Sequence, residues 1–131
     1  MKKIISTKAL SKIISKLKSK GKKVVLCHGV FDLLHIGHIK HFKEAKGMGD
    51  VLVVTITQDK YVNKGPNRPI FSLNTRMESI AALRDVDYVA PNIFANAAQL
   101  IKMLKPNIYC KGKDYRNYNL DITDQIKKEA S

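Results

Sequence analysis

His35 and His38 stand three residues apart with Gly37 between them, in the run Gly29-Val30-Phe31-Asp32-Leu33-Leu34-His35-Ile36-Gly37-His38-Ile39-Lys40-His41. Residues three apart share a helix face, so the two imidazoles can address one ligand. The run follows an apolar stretch, Val24 to Cys27, and leads into Ile39, Phe42 and Ala45 at helical spacing, which marks a passage from strand to helix. The unpaired N–H groups and positive end of such a helix attract anions, and Gly29 and Gly37 leave room for a phosphate to approach the backbone. The same histidines, with His28, His41 and Cys27, admit a metal-site reading, but zinc ligand sets favour other spacings and usually draw on a second cluster. Half-buried packing is the ordinary reading for any one of them. The glycine between the pair favours the anion site.

The elements that must hold this run can be read around it. Residues 7 to 20 place Leu10, Ile13, Ile14 and Leu17 on one stripe among lysines, an amphipathic helix capped by Ser6 or Thr7 and expected to pack on the sheet edge. Val51 to Ile56 is a continuous, β-branched apolar run suited to a parallel strand covered on both faces. A helix from Asn74 or Thr75 to Leu83 precedes a third strand, Asp87 to Ala90. A helix through Ala97, Leu100, Ile101 and Leu104, closed by Pro106, precedes a fourth strand, Ile108 to Cys110. Strand, helix, strand at this spacing makes right-handed βαβ units, so the expected fold is a doubly wound parallel α/β sheet, Rossmann-like. The connection from Thr57 to Leu73 is long and polar, and such loops at a strand's carboxyl end often carry function.

At 131 residues the chain is read as a single domain, with residues 1–22 forming the basic helix packed on it. No apolar stretch is long enough to span a bilayer, and the basic start lacks a sustained apolar region or a cleavage site, so a cytoplasmic protein without membrane contact is expected. Two cysteines make no disulfide framework, and Cys27 and Cys110 are read as reduced packing residues. The formal charge of +13 implies anionic partners. Nine lysines fall within the first 23 residues without an acidic residue, which raises a nucleic-acid-binding module as an alternative. That segment contains no aromatic residue to stack on bases, which argues against it.

The pattern Gly-x-Phe-Asp-x-x-His-x-Gly-His, here Gly29 to His38, resembles the signature of the cytidylyltransferase-like nucleotidyltransferases. The resemblance implies that His35 and His38 contact nucleotide phosphates and stabilise charge as the α-phosphorus is attacked, with Gly29, Val30, Phe31, Asp32 and Gly37 lining the nucleotide site. Asn63-Lys64-Gly65-Pro66-Asn67-Arg68-Pro69 looks like a loop of the sugar-phosphate adenylyltransferases of heptose-phosphate type, which points to Lys64, then Arg68, as phosphate contacts. Arg76 falls where the family places a phosphate-reaching arginine. A cation in the first turns of a helix also opposes the dipole unless an anion intervenes. Lys111-Gly112-Lys113-Asp114-Tyr115 resembles a Lys-Gly-x-Asp-Tyr element near the base and acceptor, assigning Lys111, Gly112 and Asp114 to binding. Arg84-Asp85-Val86-Asp87 is similar to a segment used at a dimer interface, hence an expected homodimer; the alternative is a plain helix-to-strand turn.

The resemblance covers about residues 20 to 126 and lacks the Ser/Thr-rich motif near the carboxyl end of relatives. A truncated piece of a longer polypeptide, one carrying a sugar kinase domain for example, is therefore expected, or a partner that supplies the rest. The implied reaction joins ATP, or CTP in the glycerol-phosphate cytidylyltransferase manner, to a phosphorylated sugar or polyol with release of pyrophosphate. Mg²⁺ would arrive with the nucleotide, and no metal held by the protein itself is expected. A reading in which the fold binds nucleotide without catalysis stands as a further alternative.

Overall fold

The computed structural model describes residues 2–62 and 65–111, Lys111 in its backbone only. Among these residues four strands, β1 (Val24–Gly29), β2 (Val51–Thr57), β3 (Tyr88–Asn92) and β4 (Ile108–Lys111), form one parallel sheet in the order β3-β2-β1-β4. β1 and β2 are buried almost throughout, which explains why they read as unbroken apolar runs. The direction of winding reverses beside β1: β2 and β3 extend to one side and β4 returns to the other. The crevice at that switch is where doubly wound sheets bind ligands.

Among the described residues four α-helices cover the two faces. On one, α2 (Ile36–Lys46) and α3 (Leu73–Ala81) send Phe42, Ala45, Met77 and Ile80 onto Val25, Cys27, Leu52 and Val54. On the other, α1 (Thr7–Ser19) and α4 (Ala97–Leu104) bury Leu10, Ile14, Leu100 and Ile101 against Val24, Leu26 and Val53. The expected placement of α1 on the sheet edge is thus corrected: it lies on the sheet face beside α4. The edge is taken by the residues before it, with Ile4 bridging to Val89 and the Ile5 N–H donating to the Val89 carbonyl at 2.9 Å. Burying Leu10 and Ile14 completely against a second helix removes more apolar surface from water than edge contact could, at about 25 cal/mol per Å². Ser6 caps α1 through the Ala9 N–H, and Lys8, Lys12 and Lys16 remain exposed.

Expected and observed elements differ mainly at their ends. Ser72 caps α3 by accepting from the Thr75 N–H, so that helix begins at Leu73. α4 stops at Lys105, whose φ of 51° lies in the left-handed region, directly before Pro106. Cys27 and Cys110 are free, buried and paired in register across β1 and β4. Their mutual hydrogen bond, then burial, pushes the Cys27 thiol well up from its ordinary range, in keeping with a packing role. The Arg84–Asp87 segment serves this chain's own turn. Val86 is buried, and the Asp87 carboxylate accepts from the Leu52 N–H at 2.8 Å and pairs with Lys46.

Candidate active site

β1 ends at Gly29, and the chain turns over the next six residues into α2. The turn is tight enough to hold Phe31 at φ 52°, a conformation that costs a bulky residue about 1–3 kcal/mol. The ring is held by packing. It meets Phe42 at 5.2 Å and the edge of His38 at 5.5 Å between centroids. It also lies directly on Gly29, where an added Cβ would come within 2.8 Å of it, so position 29 requires glycine.

His35 is the residue that caps α2, and its Nδ1 accepts from the Gly37 N–H at 3.0 Å. His38 reaches back, its Nδ1 accepting from the His35 N–H at 3.2 Å. The rings lie 4.0 Å apart between centroids. Because each Nδ1 accepts from a backbone N–H, the neutral rings carry their hydrogen on Nε2, and both are set as donors. Gly37 is needed for this arrangement, since a Cβ there would sit 2.7 Å from Cε1 of His35. His41, one turn further, points inward; burial, with a smaller contribution from the charge of His38, lowers its pKa to about 4.

Asp32 turns its carboxylate towards the loop after β2. It is 5% exposed, and both carboxylate oxygens are taken: Oδ2 by the Ile70 N–H at 2.8 Å and Arg68 at 3.0 Å, Oδ1 by the Phe71 N–H at 2.9 Å. Burial raises its pKa, but the Phe71 and Ile70 N–H groups and Arg68 outweigh that and hold it below the ordinary carboxylate value. Asp32 therefore ties the loop after β2 to the turn after β1, and Arg68, expected as a second phosphate contact, is the partner of that tie.

Arg76 is likewise a strut, which corrects the expectation of a phosphate clamp. It is 1% exposed. Its Nε–H donates to the Phe71 carbonyl at 3.0 Å, and Nη1 donates to the carbonyls of Val30 at 2.9 Å and Thr57 at 2.8 Å. Nη2 pairs with Asp59, at the head of a short 3₁₀ turn, Asp59–Tyr61. Four of the five guanidinium N–H bonds are thus spent inside the protein. Val30, expected to line the nucleotide site, engages Arg76 through its carbonyl.

Lys64, Gly112 and Asp114 lie outside the described residues, as does the side chain of Lys111, whose backbone pairs with His28 at the end of β4. The described residues do not fit a protein-held Mg²⁺: both oxygens of Asp32 are occupied and Asp59 is paired with Arg76. Among the described residues no three His, Cys, Asp or Glu side chains converge as metal ligands.

Sequence reasoning missed a third group at the same end of the sheet. His28 contacts Thr55 Oγ1 through Nδ1 at 2.9 Å and Thr57 Oγ1 through Nε2 at 3.5 Å. Strand alternation could have found it, because Val24, Leu26 and His28 share a face and His28 is in register with Thr55.

The comparisons with known proteins bear on the region just described. The cytidylyltransferase-like family profile matches residues 26–128. A bifunctional protein HldE from Aliarcobacter butzleri is 39% identical over 123 residues, 90% of this chain but 26% of that protein. The HldE of Sulfurimonas denitrificans is 44% identical over 114 residues, 86% of this chain and 24% of its own length. The chain thus spans about a quarter of the length of the curated relatives it matches. A lipopolysaccharide core biosynthesis protein from Thermoplasma volcanium superposes with a TM-score of 0.67 at 33% identity, covering 82% of this chain and 88% of that one. A pantoate-beta-alanine ligase from Francisella tularensis shares the fold alone, with a TM-score of 0.65 at 20% identity over 98% of this chain and 62% of its own. With the profile spanning the strand, the turn and both imidazoles, this chain belongs to the cytidylyltransferase-like family.

Proposed function

We propose that the chain is a nucleotidyltransferase domain that moves a nucleotidyl group, AMP in preference to CMP, from a nucleoside triphosphate to a sugar or polyol phosphate. A phosphate oxygen of the acceptor attacks the α-phosphorus, the bond to the bridging oxygen of the leaving pyrophosphate breaks, and pyrophosphate departs with that oxygen's charge. The attacking oxygen is already ionised at neutral pH, so no strong base is required. The protein's task is to bring two anions together and to stabilise the charge that builds on the α-phosphate and leaving group.

The observation that carries this reading is the pair of Nε2–H donors at the amino end of α2, on rings whose centroids lie 4.0 Å apart. Asp32 and Arg76 act as positioning residues that brace the two loops around the pair. Lys64 is the proposed clamp from the loop, and Lys111, Gly112 and Asp114 the proposed base and acceptor contacts. Mg²⁺, bound to the nucleotide, would neutralise phosphate charge. Adenylyl transfer is preferred because residues 63–69 and 111–115 resemble elements of heptose-phosphate adenylyltransferases, and the HldE relatives support the same choice. A cytoplasmic homodimer accompanies the proposal; among the described residues no helix is long and apolar enough to cross a membrane.

The test is pyrophosphate release by the full gene product with ATP or CTP and a panel of sugar and polyol phosphates, heptose 1-phosphate and glycerol 3-phosphate included. His38→Ala should lower turnover about 10²–10³-fold, the cost of removing one preorganised donor. Unchanged turnover in the variant would overturn the assignment.

A further inference from the structure

We infer that the face built by α1 and α4 adsorbs by charge to an anionic lipid surface and leaves the substrate crevice open, a property independent of the nucleotidyl-transfer reading.

Charge is divided unevenly between the two faces of the sheet. No acidic residue precedes Asp32 and none lies between Asp87 and Asp114, so α1, α4 and the strands they lead into carry no carboxylate side chain. Lys8, Lys12 and Lys16 recur at every fourth position, opposite to the stripe of Leu10 and Ile14 that packs on the sheet. Lys18, Lys102 and Lys105 extend the field across to α4. All six are exposed, and among the described residues none is in an ion pair. The other face is mixed: α2 carries Glu44, α3 carries Glu78, and Lys46 is paired with Asp87. Residues 112–131 hold four acidic and four basic residues, so that stretch brings no net charge to offset the lysines. A second copy of the chain brings the same excess, +13 over its length. The complementary partner is therefore an external polyanion.

The shape and composition of the face select a lipid surface. α1 and α4 lie side by side, joined by Ser11 Oγ donating to the Met103 carbonyl at 3.5 Å, so their lysines form a layer and not a cleft. A bilayer meets such a layer across its whole extent, whereas a rod-shaped duplex touches a line of it. Neither helix contains an arginine or an aromatic residue, the groups that hold phosphates bidentately or stack on bases. Lysine, a point charge on a flexible stem, suits headgroups whose positions are not fixed. Between the helices a cavity of about 290 Å³ is lined by Ser11, Ser15, Lys18 and Lys105 together with Met103 and Leu104. Lys18 Nζ donates to the Lys105 carbonyl at 2.7 Å, which sets that ammonium at the cavity and leaves two N–H bonds for a phosphate. Hydroxyls, ammonium groups and an apolar wall together fit a phosphate ester and its glycerol. Neither helix exposes a large apolar side chain, so the contact is electrostatic and without insertion. The expectation of no membrane contact followed from the lack of a spanning stretch, which adsorption by charge does not need. α1 and α4 each lead into the start of a parallel strand, so Lys18 and Lys105 lie towards the sheet edge opposite to Gly29 and the amino end of α2. The crevice stays accessible on an adsorbed molecule.

Flotation of the full gene product with phosphatidylcholine vesicles, with and without phosphatidylglycerol, tests this. Binding should require phosphatidylglycerol and disappear between about 0.1 M and about 1 M salt, as the screening length shrinks from about 10 Å to about 3 Å. Lys12→Gln with Lys16→Gln should weaken it roughly 25-fold, about fivefold for each lysine, and Lys18→Gln should add about fivefold. Lys40→Gln with Lys43→Gln, the same charge change at exposed positions of α2, should stay within about twofold of wild type. Pyrophosphate release in solution should be unchanged in all of these variants, so failure here leaves nucleotidyl transfer standing. No binding, equal binding to both kinds of vesicle, or equal losses in the α1 and α2 variants overturns the inference. Duplex DNA or RNA held more tightly than the vesicles at the same salt, and weakened by the same α1 substitutions, also overturns it, in favour of nucleic acid.

Discussion

Replacing Arg76 with leucine separates a strut from a phosphate clamp. The substitution strands three backbone acceptors, the carbonyls of Val30, Thr57 and Phe71, at a site where the side chain is 1% exposed. A buried polar group left without its partner costs about 1–3 kcal/mol, partly relieved by the carbonyls' second lone pairs and by water entering the gap. The Asp59 carboxylate is half exposed and adds at most about 1 kcal/mol. A loss of about 3–5 kcal/mol follows, in line with breaking other buried charge networks and a large share of a typical domain's 5–15 kcal/mol or so. With a urea m-value of about 2 kcal/mol/M, the midpoint should fall by about 2 M, read by far-ultraviolet circular dichroism. Asp59→Asn, altering only the exposed end of the network, should cost less than about 1 kcal/mol. Arg76→Lys should fall between, since one ammonium cannot span acceptors arranged for a planar fork. Arg76→Leu losing less than about 1 kcal/mol, with nucleotide affinity falling instead, would refute the strut.

Gly37→Ala should leave stability nearly unchanged while lowering nucleotidyl transfer. The added Cβ displaces the exposed His35 ring, losing a cap worth about 0.5–2 kcal/mol, and alanine returns about 1 kcal/mol of helix propensity. Turnover equal to wild type would show that the ring's seat does not matter. His41 makes stability depend on pH. Its pKa falls from 6.5 to about 4 on folding, so below pH 6.5 the unfolded chain binds a proton that the folded chain refuses. The contribution is complete above 6.5 and is lost as pH falls towards 4. Between pH 7.5 and 4.5 wild type should lose about 2–3 kcal/mol that His41→Gln keeps, and parallel pH profiles of the two in urea unfolding would refute it.

The sheet was legible because a parallel strand covered on both faces has to be apolar along its length, and Val24–Cys27 and Val51–Ile56 carry that signal without help from the rest of the chain. The histidine pair was legible for a similar reason, since a three-residue spacing at a helix start is local. Asp32 and Arg76 were not. The N–H groups that occupy Asp32 lie 38 and 39 residues away, and those of Arg76 serve carbonyls at three separate places in the chain, Val30, Thr57 and Phe71. A cation in the first turns of α3 calls for negative charge nearby, and Asp59 and backbone oxygens supply it. The side of the sheet taken by α1 was lost for a related reason: its apolar stripe gives the burying face and not the surface it meets.

Those two ties have a joint consequence. Asp32 fastens the turn after β1 to residues 68–71, and Arg76 fastens the same turn, through Val30, to Thr57 and Phe71. The turn and the loop are therefore one braced body, and Phe31, wedged between Gly29, Phe42 and His38, passes its position on to the histidines. Among the described residues of this body, Asp32 pairs with Arg68 and Asp59 with Arg76. On the proposed reading, the described residues offer a phosphate oriented dipoles, among them the amino end of α2 and the Nε2–H bonds of His35 and His38, held in place by the Gly37 and His35 N–H groups. Preorganised donors of this kind need little rearrangement as charge develops, which is the condition under which electrostatics lowers a barrier most.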